Sequence, residues 1–258
     1  MSEKTGALHG RDSVTRFTAR AESYAAYRPS YPPAVIDALV NGLGDPSMLC
    51  IADLGAGTGI SARLLADRGA RVFAVEPNSA MRHAAAPHPR VHFCDGTAEC
   101  TGLDNSSVDL ATAFQAYHWF DPEPTHRELV RILKPGGRAA LVWNVRDDSD
   151  PFSGSYGELI CAAALDREVE RHQGAADAFA RDRRFSGVRR QVVKNQQRLD
   201  LAGLIGRMES TSYVPHEGPV HAHLLAGLHE LHARYADSEG YVALAYRAEI
   251  TLGETRRT

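Results

Sequence analysis

Lysine is the scarcest charged residue in this chain. Among 258 residues it stands only at Lys4, Lys134 and Lys194, so nearly all positive charge is arginine. The formal net charge is −3, and without a basic excess the chain is no non-specific nucleic-acid binder. Cysteine is sparse too. Cys50, Cys94, Cys100 and Cys161 form no C-x-x-C pair, which excludes a disulfide framework and the common zinc patterns. Cys50 and Cys94 fall in apolar runs and read as buried thiols. Long hydrophobic runs are missing: none approaches the roughly 20 residues of a membrane span. The opening MSEKTGALHGRDS has no apolar centre and does not read as a secretory leader. These absences predict a reduced, cytoplasmic setting with no membrane or nucleic-acid partner. Internal repeats and low-complexity tracts are also lacking.

What is present suffices for a core, since 43% of residues are hydrophobic. The length fits one domain carrying an inserted cap. The organising stretch is Leu49–Glu76, LCIADLGAGTGISARLLADRGARVFAVE. The run Leu49–Leu54 predicts a strand, with Asp53 near its end. Gly55-Ala56-Gly57-Thr58-Gly59 breaks it. Ile60, Leu64 and Leu65 then share one helical face, and Arg71–Val75 predicts a second strand closing on Glu76. Strand, glycine turn, helix, strand and acid make half of a nucleotide-binding unit.

Each part has a physical role. Glycines allow a sharp turn and let a ligand lie against main chain. The helix start offers free N–H groups. Glu76, roughly 20 residues past the turn, stands where a carboxylate grips two ribose hydroxyls. The dinucleotide fingerprint needs glycine at position 60, which is Ile60. Asp53 would repel a pyrophosphate and attract an ammonium group. S-adenosylmethionine carries an ammonium, a sulfonium and a ribose, and it is the expected cofactor.

Downstream, Val91–Cys94 predicts a third strand ending at Asp95-Gly96-Thr97-Ala98-Glu99. Pro77 opens a short helix over Asn78–Ala85 whose Met81 either packs or touches the base. Val108–Phe114 predicts the fourth strand, followed by Gln115-Ala116-Tyr117-His118-Trp119-Phe120 at the carboxyl end of the sheet, where open α/β folds bind ligands. A helix from Asp121 or Pro122 to Leu133 is ended by Lys134-Pro135-Gly136-Gly137, and Arg138–Val145 predicts strand five. Upstream, Val14–Tyr27 reads as a helix stopped by RPSYPP, and Ala34–Leu43 as a second started by Pro33. Beyond Arg146 the pattern predicts a helical cap, Phe152–Arg171 and partly to Arg184. Strand six follows at Val188–Arg198, then helices at Leu199–Thr211 and Leu224–Tyr235, and strand seven at Tyr241–Thr251.

The glycine turn, the acid at 76, the Asp95–Glu99 loop, QAYHWF and KPGG together resemble the class I S-adenosylmethionine-dependent methyltransferases, specifically the small-molecule type 11 group, over roughly residues 17 to 252. The resemblance implies an α/β fold: a Rossmann-like, seven-stranded, mostly parallel sheet flanked by helices, with an N-terminal helical lid. It divides a single domain into a lid (1–44), a cofactor-binding core (45–146), a helical cap (147–187) and C-terminal strands and helices (188–258). Expected cofactor contacts are Asp53, Gly55, Ala56, Gly57, Thr58, Glu76, Pro77, Met81, Asp95, Gly96, Thr97, Ala98 and Gln115. His118, Tyr24 and Arg28 are the catalytic candidates; Tyr27, Tyr31, Tyr117 and Trp119 are expected to line the acceptor pocket. For the lid aromatics, Trp119 and His118, a plain packing role stays open.

Arg181, Arg183, Arg184, Arg189 and Arg190 form a basic cluster that reads as a solvated face, with an anionic substrate as the other reading. His216, His221, His223, His229 and His232 match no metal-ligand spacing, so no metal is expected. The implied activity is methyl transfer to a small molecule, in specialised metabolism. The alternative is the same fold turned to cyclisation or intramolecular displacement. Monomer, homodimer and helper subunit all stay open.

Overall fold

The computed structural model describes residues 27–163, 173–211 and 214–256. Tyr24 and the lid helix before Tyr27 lie outside them, as does the 164–172 part of the cap.

The apolar runs become the inner strands. β1 (Cys50–Leu54) lies between β2 (Arg71–Val75) and β4 (Val108–Phe114), and β3 (Val91–Cys94) extends beyond β2, all parallel. β5 (Leu133–Arg146) pairs parallel with β4. β7 (Val242–Thr255) inserts antiparallel between β5 and β6 (Phe185–Leu199). The order β3-β2-β1-β4-β5-β7-β6 matches the expected seven-stranded, mostly parallel sheet. The chain winds outward from β1 to β3, then returns to β4 on the other side of β1. That reversal opens a crevice at the carboxyl ends of β1 and β4.

Alternation along each strand sorts side chains between two layers. Ile51, Leu110, Val142 and Ile250 face α1 (Pro33–Val40) and α2 (Ile60–Asp67). Ala52, Leu54, Ala111 and Leu141 face α4 (Pro122–Ile132) and α6 (Gln173–Arg181), the short α3 (Ser79–His83) lying between β2 and β3. A third cluster joins α5 (Pro151–Ala163), α7 (Leu201–Glu209) and α8 (Gly218–Tyr235) to Val242, Leu244 and Tyr246 of β7. Tyr246 pairs with Arg146, the carboxyl end of β5, so this cluster sits beside the crevice.

Lys134–Gly137 departs from expectation. It is a bulge inside β5, not a turn ahead of it: Val108 pairs with Leu133, and pairing resumes at Leu110 with Arg138. Gly136 takes φ 75°, absorbing the extra residues without ending the strand.

Candidate functional site

The glycine turn is fastened to its neighbours before any ligand is considered. The N–H groups of Gly55 and Ala56 both donate to the carbonyl of Val75, at 2.9 and 3.1 Å. Gly55 has φ 63°, and a Cβ there would stand 2.7 Å from Cβ of Ala116, so only glycine fits between the turn and the segment after β4. The Gly57 N–H donates to Oε2 of Glu76 at 2.9 Å, and the Asn78 N–H donates to Oε1 at 2.9 Å. Glu76 is 8% exposed, and burial raises its pKa against those two bonds. A carboxylate offers about four lone-pair sites. Two are taken by main-chain N–H groups, leaving capacity for a pair of hydroxyls. Thr58 lines the crevice, and its buried hydroxyl has no partner among the described residues. An unpaired buried hydroxyl, a half-used carboxylate and a bare turn fit a polar nucleoside cofactor.

Asp53 requires a correction. Expected to meet an ammonium group, it is wholly buried. Oδ2 accepts from Ser61 Oγ at 2.6 Å and Oδ1 accepts from Thr112 Oγ1 at 2.8 Å. Burial pushes its pKa up to about 6, overriding both hydroxyls, and nearby Glu76 adds to the rise. Its carboxylate ties β1 to α2 and β4 and reaches the crevice through Ser61, which does line it. Sequence reasoning passed over Ser61; its place in the first turn of the helix after the glycines was the available signal.

The crevice encloses about 450 Å³, part of it open to solvent, and brings Arg28 and Tyr31 over Gly55, Ala56, Thr58 and Gln115. Tyr31 packs edge-on to Phe114 at 4.8 Å. Gln115 holds φ 53°, unusual for a side-chain-bearing residue, with its N–H on Val142 and its Nε2 donating to Asn144 at 3.1 Å. Such a conformation costs energy that surrounding bonds must offset, and it concentrates at functional sites. Amides of the sheet hold the roof by its carbonyls. Asn195 Nδ2 donates to Ser30 at 2.8 Å, and Gln197 Nε2 donates to Tyr27 at 3.0 Å. The Tyr27 ring lies flat on Gly206 of α7, where a Cβ would come within 2.5 Å.

The residues expected around adenine are less convergent. Asp95 is 74% exposed and pairs with Arg82 at 3.1 Å; Arg82 also donates to the carbonyl of Glu76, tying β2 to β3. Thr97 and Cys100 exchange backbone bonds around Ala98, and Gly96 abuts the carbonyl of Thr101. Glu99 accepts from the Asp121 N–H at 3.0 Å, holding the start of α4. Pro77 is half-buried, and Met81 is 4% exposed and packed inside.

Tyr117 is the second correction. Rather than lining an acceptor pocket, it is 1% exposed. Its hydroxyl makes a short bond to Nε2 of His126, whose Nδ1 meets Asp182 Oδ2 at 2.5 Å. Burial holds His126 below its ordinary pKa despite Asp182, and raises Tyr117. A neutral ring with its proton on Nδ1 donates to Asp182 and accepts from Tyr117. Arg184 bonds Asp182 at 2.6 Å and Glu123 at 2.5 Å, completing a chain across α4 and the start of β6. The Nδ1 of His118 accepts from Trp143 Nε1 at 3.4 Å, and its ring lies 5.0 Å from that of Trp119.

Arginines of the cap are largely consumed by acids: Arg181 and Arg190 meet Asp177, Arg184 meets Asp182 and Glu123, and Arg189 meets Glu254. Among the described residues no three His, Cys, Asp or Glu side chains come together as a metal site, and no helix is long and apolar enough to cross a membrane.

Against known proteins, residues 52–141 match the methyltransferase domain family model. The chain is 34% identical over 249 residues to an uncharacterized methyltransferase of Mycobacterium tuberculosis, covering 93% of this chain and 98% of that one. An uncharacterized methyltransferase of Schizosaccharomyces pombe is 34% identical over 139 residues, 53% of this chain and 55% of its own length. Among solved structures, a protein of Anaeromyxobacter dehalogenans assigned as a type II methyltransferase superposes with TM-score 0.71 at 27% identity, over 90% of this chain and all of that one.

Proposed function

The chain belongs to the class I S-adenosylmethionine-dependent methyltransferases, and from that membership we propose that it methylates a small-molecule acceptor of specialised metabolism in the crevice roofed by Arg28 and Tyr31. The carrying observation is the Glu76 carboxylate. Held at both oxygens by the Gly57 and Asn78 N–H groups, it is fixed in place yet keeps lone pairs for a ribose diol.

When bound, S-adenosylmethionine supplies an electrophilic methyl on a sulfonium. The residues of this chain bind, orient and exclude water. Glu76 takes the ribose hydroxyls, and Thr58 with the main chain of Gly55 to Gly57 holds the polar end. Tyr31 and Phe114 close the crevice to water, and the strained Gln115 borders it at the end of β4. Such alignment is worth about 7–11 kcal/mol of barrier without a covalent nucleophile. His118 takes an orienting part rather than that of a base. With Nδ1 accepting from Trp143, the proton of a neutral ring resides on Nε2.

The test is calorimetry with S-adenosylhomocysteine. Glu76→Ala should weaken binding about tenfold or more. Equal affinity in the variant and the wild type would refute this placement of the cofactor. Mass spectrometry of an acceptor incubated with the cofactor separates methyl transfer, which adds CH₂, from cyclisation by elimination, which does not.

A further inference from the structure

The roof of the crevice cannot be held as an ordinary strand. It runs Tyr-Arg-Pro-Ser-Tyr-Pro-Pro from Tyr27, and Pro29, Pro32 and Pro33 have no N–H to give. What the segment chiefly offers is carbonyl oxygens. Donors for them come from neutral amide side chains of the sheet beside it.

The Ser30 carbonyl accepts from Asn195 Nδ2 at 2.8 Å and from Asn144 Nδ2 at 3.3 Å. Asn195 Nδ2 also donates to Asn144 Oδ1 at 3.0 Å, which closes a triangle of bonds. The Gln196 N–H donates to Asn195 Oδ1 at 2.9 Å, so the Asn195 amide is turned with its donors toward the roof. Two residues along the same face of β6, Gln197 Nε2 donates to the Tyr27 carbonyl at 3.0 Å. Gln197 Oε1 is buried and has no partner among the described residues. An apolar side chain of that size would avoid this cost, so the amide is explained by its donor. The triangle also reaches the cofactor side. Gln115, which lines the crevice, donates from Nε2 to the Asn144 carbonyl at 3.1 Å.

We propose that Asn195 and Gln197 of β6, with Asn144 of β5, are positioning residues for methyl transfer: they latch Tyr27–Tyr31 over the crevice and set how fast the cofactor leaves. The inference rests on the reading of this crevice as the cofactor site. Asn195 and Gln197 stand on the outermost strand and do not line the crevice, so their effect passes through the roof. Their bonds go to main chain, so the latch fixes the segment that carries Arg28 and Tyr31 without engaging either side chain.

The full chain is tested in two arms. In the first, the ligand-free protein is digested with chymotrypsin, and mass spectrometry follows the fragment that begins at Arg28. Cleavage after Tyr27 requires the roof to open, because the Tyr27 carbonyl is bonded and its ring lies on Gly206; the rate tracks the open population. In the second, bound radiolabelled S-adenosylhomocysteine is released into an excess of unlabelled ligand. Asn195→Leu and Gln197→Met should each speed both processes about threefold or more, and the double variant about tenfold or more. Gln197→Glu keeps the shape but loses the donor, and it should behave like Gln197→Met. Gln196→Leu keeps its N–H and points to the opposite face of β6, so it should leave both rates unchanged. Melting temperatures should stay within about 4 °C of wild type, which separates a latch from a general loss of fold; Gln197→Glu serves should Asn195→Leu fold poorly. Unchanged cleavage in the Asn195 and Gln197 variants, or wild-type rates in Gln197→Glu, overturns the latch. Faster cleavage with unchanged release overturns the positioning role. Failure of the wild type to bind S-adenosylhomocysteine counts against the cofactor reading instead, and the cleavage arm then decides the latch alone.

Discussion

Asp53→Asn should change how stability depends on pH, and in a direction opposite to that of an ordinary ion-paired acid. The Asp53 carboxyl is fully buried between the hydroxyls of Ser61 and Thr112. Burial raises its pKa from 3.8 to about 6. Between those values the native chain keeps a proton that the unfolded chain has released, so native stability falls as pH rises through that window. The gap amounts to about 3 kcal/mol in full, since each pKa unit is worth about 1.4 kcal/mol. About 2 kcal/mol of it falls between about pH 4.5 and pH 7.5. The site can accommodate either state, because Thr112 Oγ1 also lies 3.4 Å from the carbonyl of Ala52 and can turn its proton there. Other carboxylates titrate in the same range, so the useful quantity is the difference between variant and wild type. Urea unfolding at both pH values should show Asp53→Asn gaining on the wild type by about 2 kcal/mol toward the higher pH. A difference that stays flat would mean that Asp53 is ionised throughout, and the burial argument would be wrong.

Tyr117→Phe removes the donor to His126 Nε2 and should destabilise the fold by about 1–3 kcal/mol, with S-adenosylhomocysteine affinity unchanged; denaturant unfolding beside calorimetry reads both. An altered acceptor KM with unchanged stability would restore Tyr117 to the pocket. Gly55→Ala places a Cβ 2.7 Å from Ala116 at φ 63° and should cost about 1–3 kcal/mol while weakening the cofactor, measured the same way. His118→Ala should slow turnover while leaving cofactor affinity intact, and because the ring acts as a donor, the pH profile of kcat should keep its shape. Loss of the limb on the acidic side, where a base would be protonated, would return His118 to the role of a base.

Much of this was legible because the signals are local. The run at Leu49–Leu54, the glycine turn and the acid at Glu76 lie within one βαβ unit, where periodicity and spacing coincide with contact. The seven-stranded, mostly parallel sheet was what the family resemblance implied, and the strand order came only from the structure. Failures came where contact depends on the third dimension. Asp53 and Tyr117 were read by position along the chain, yet a strand sends successive side chains to opposite faces, and the turn after β4 drives Tyr117 into the layer beneath the sheet rather than into the crevice. The Lys134–Gly137 breaker signal was real, but pairing of Val108 with Leu133 starts the strand before it. Tertiary pairing outweighed local propensity there.

The contrast between the two arginine groups shows why contacts between distant segments are harder to read than a local motif. Residues 181–190 look like an anion site because five arginines crowd one segment, but crowding in sequence also recruits neighbouring acids, and Asp177, Asp182, Glu123 and Glu254 meet them. Arg146 and Arg207 are each alone in sequence and draw no attention, and Arg28 stands out only beside the lid tyrosines. They converge because β7 returns antiparallel beside β5, which sets Tyr246 opposite Arg146, and because α7 brings Arg207 and Ser210 under the end of the lid. Contacts of this kind, made between distant segments, leave no mark on local spacing, whereas the glycine turn and Glu76 do.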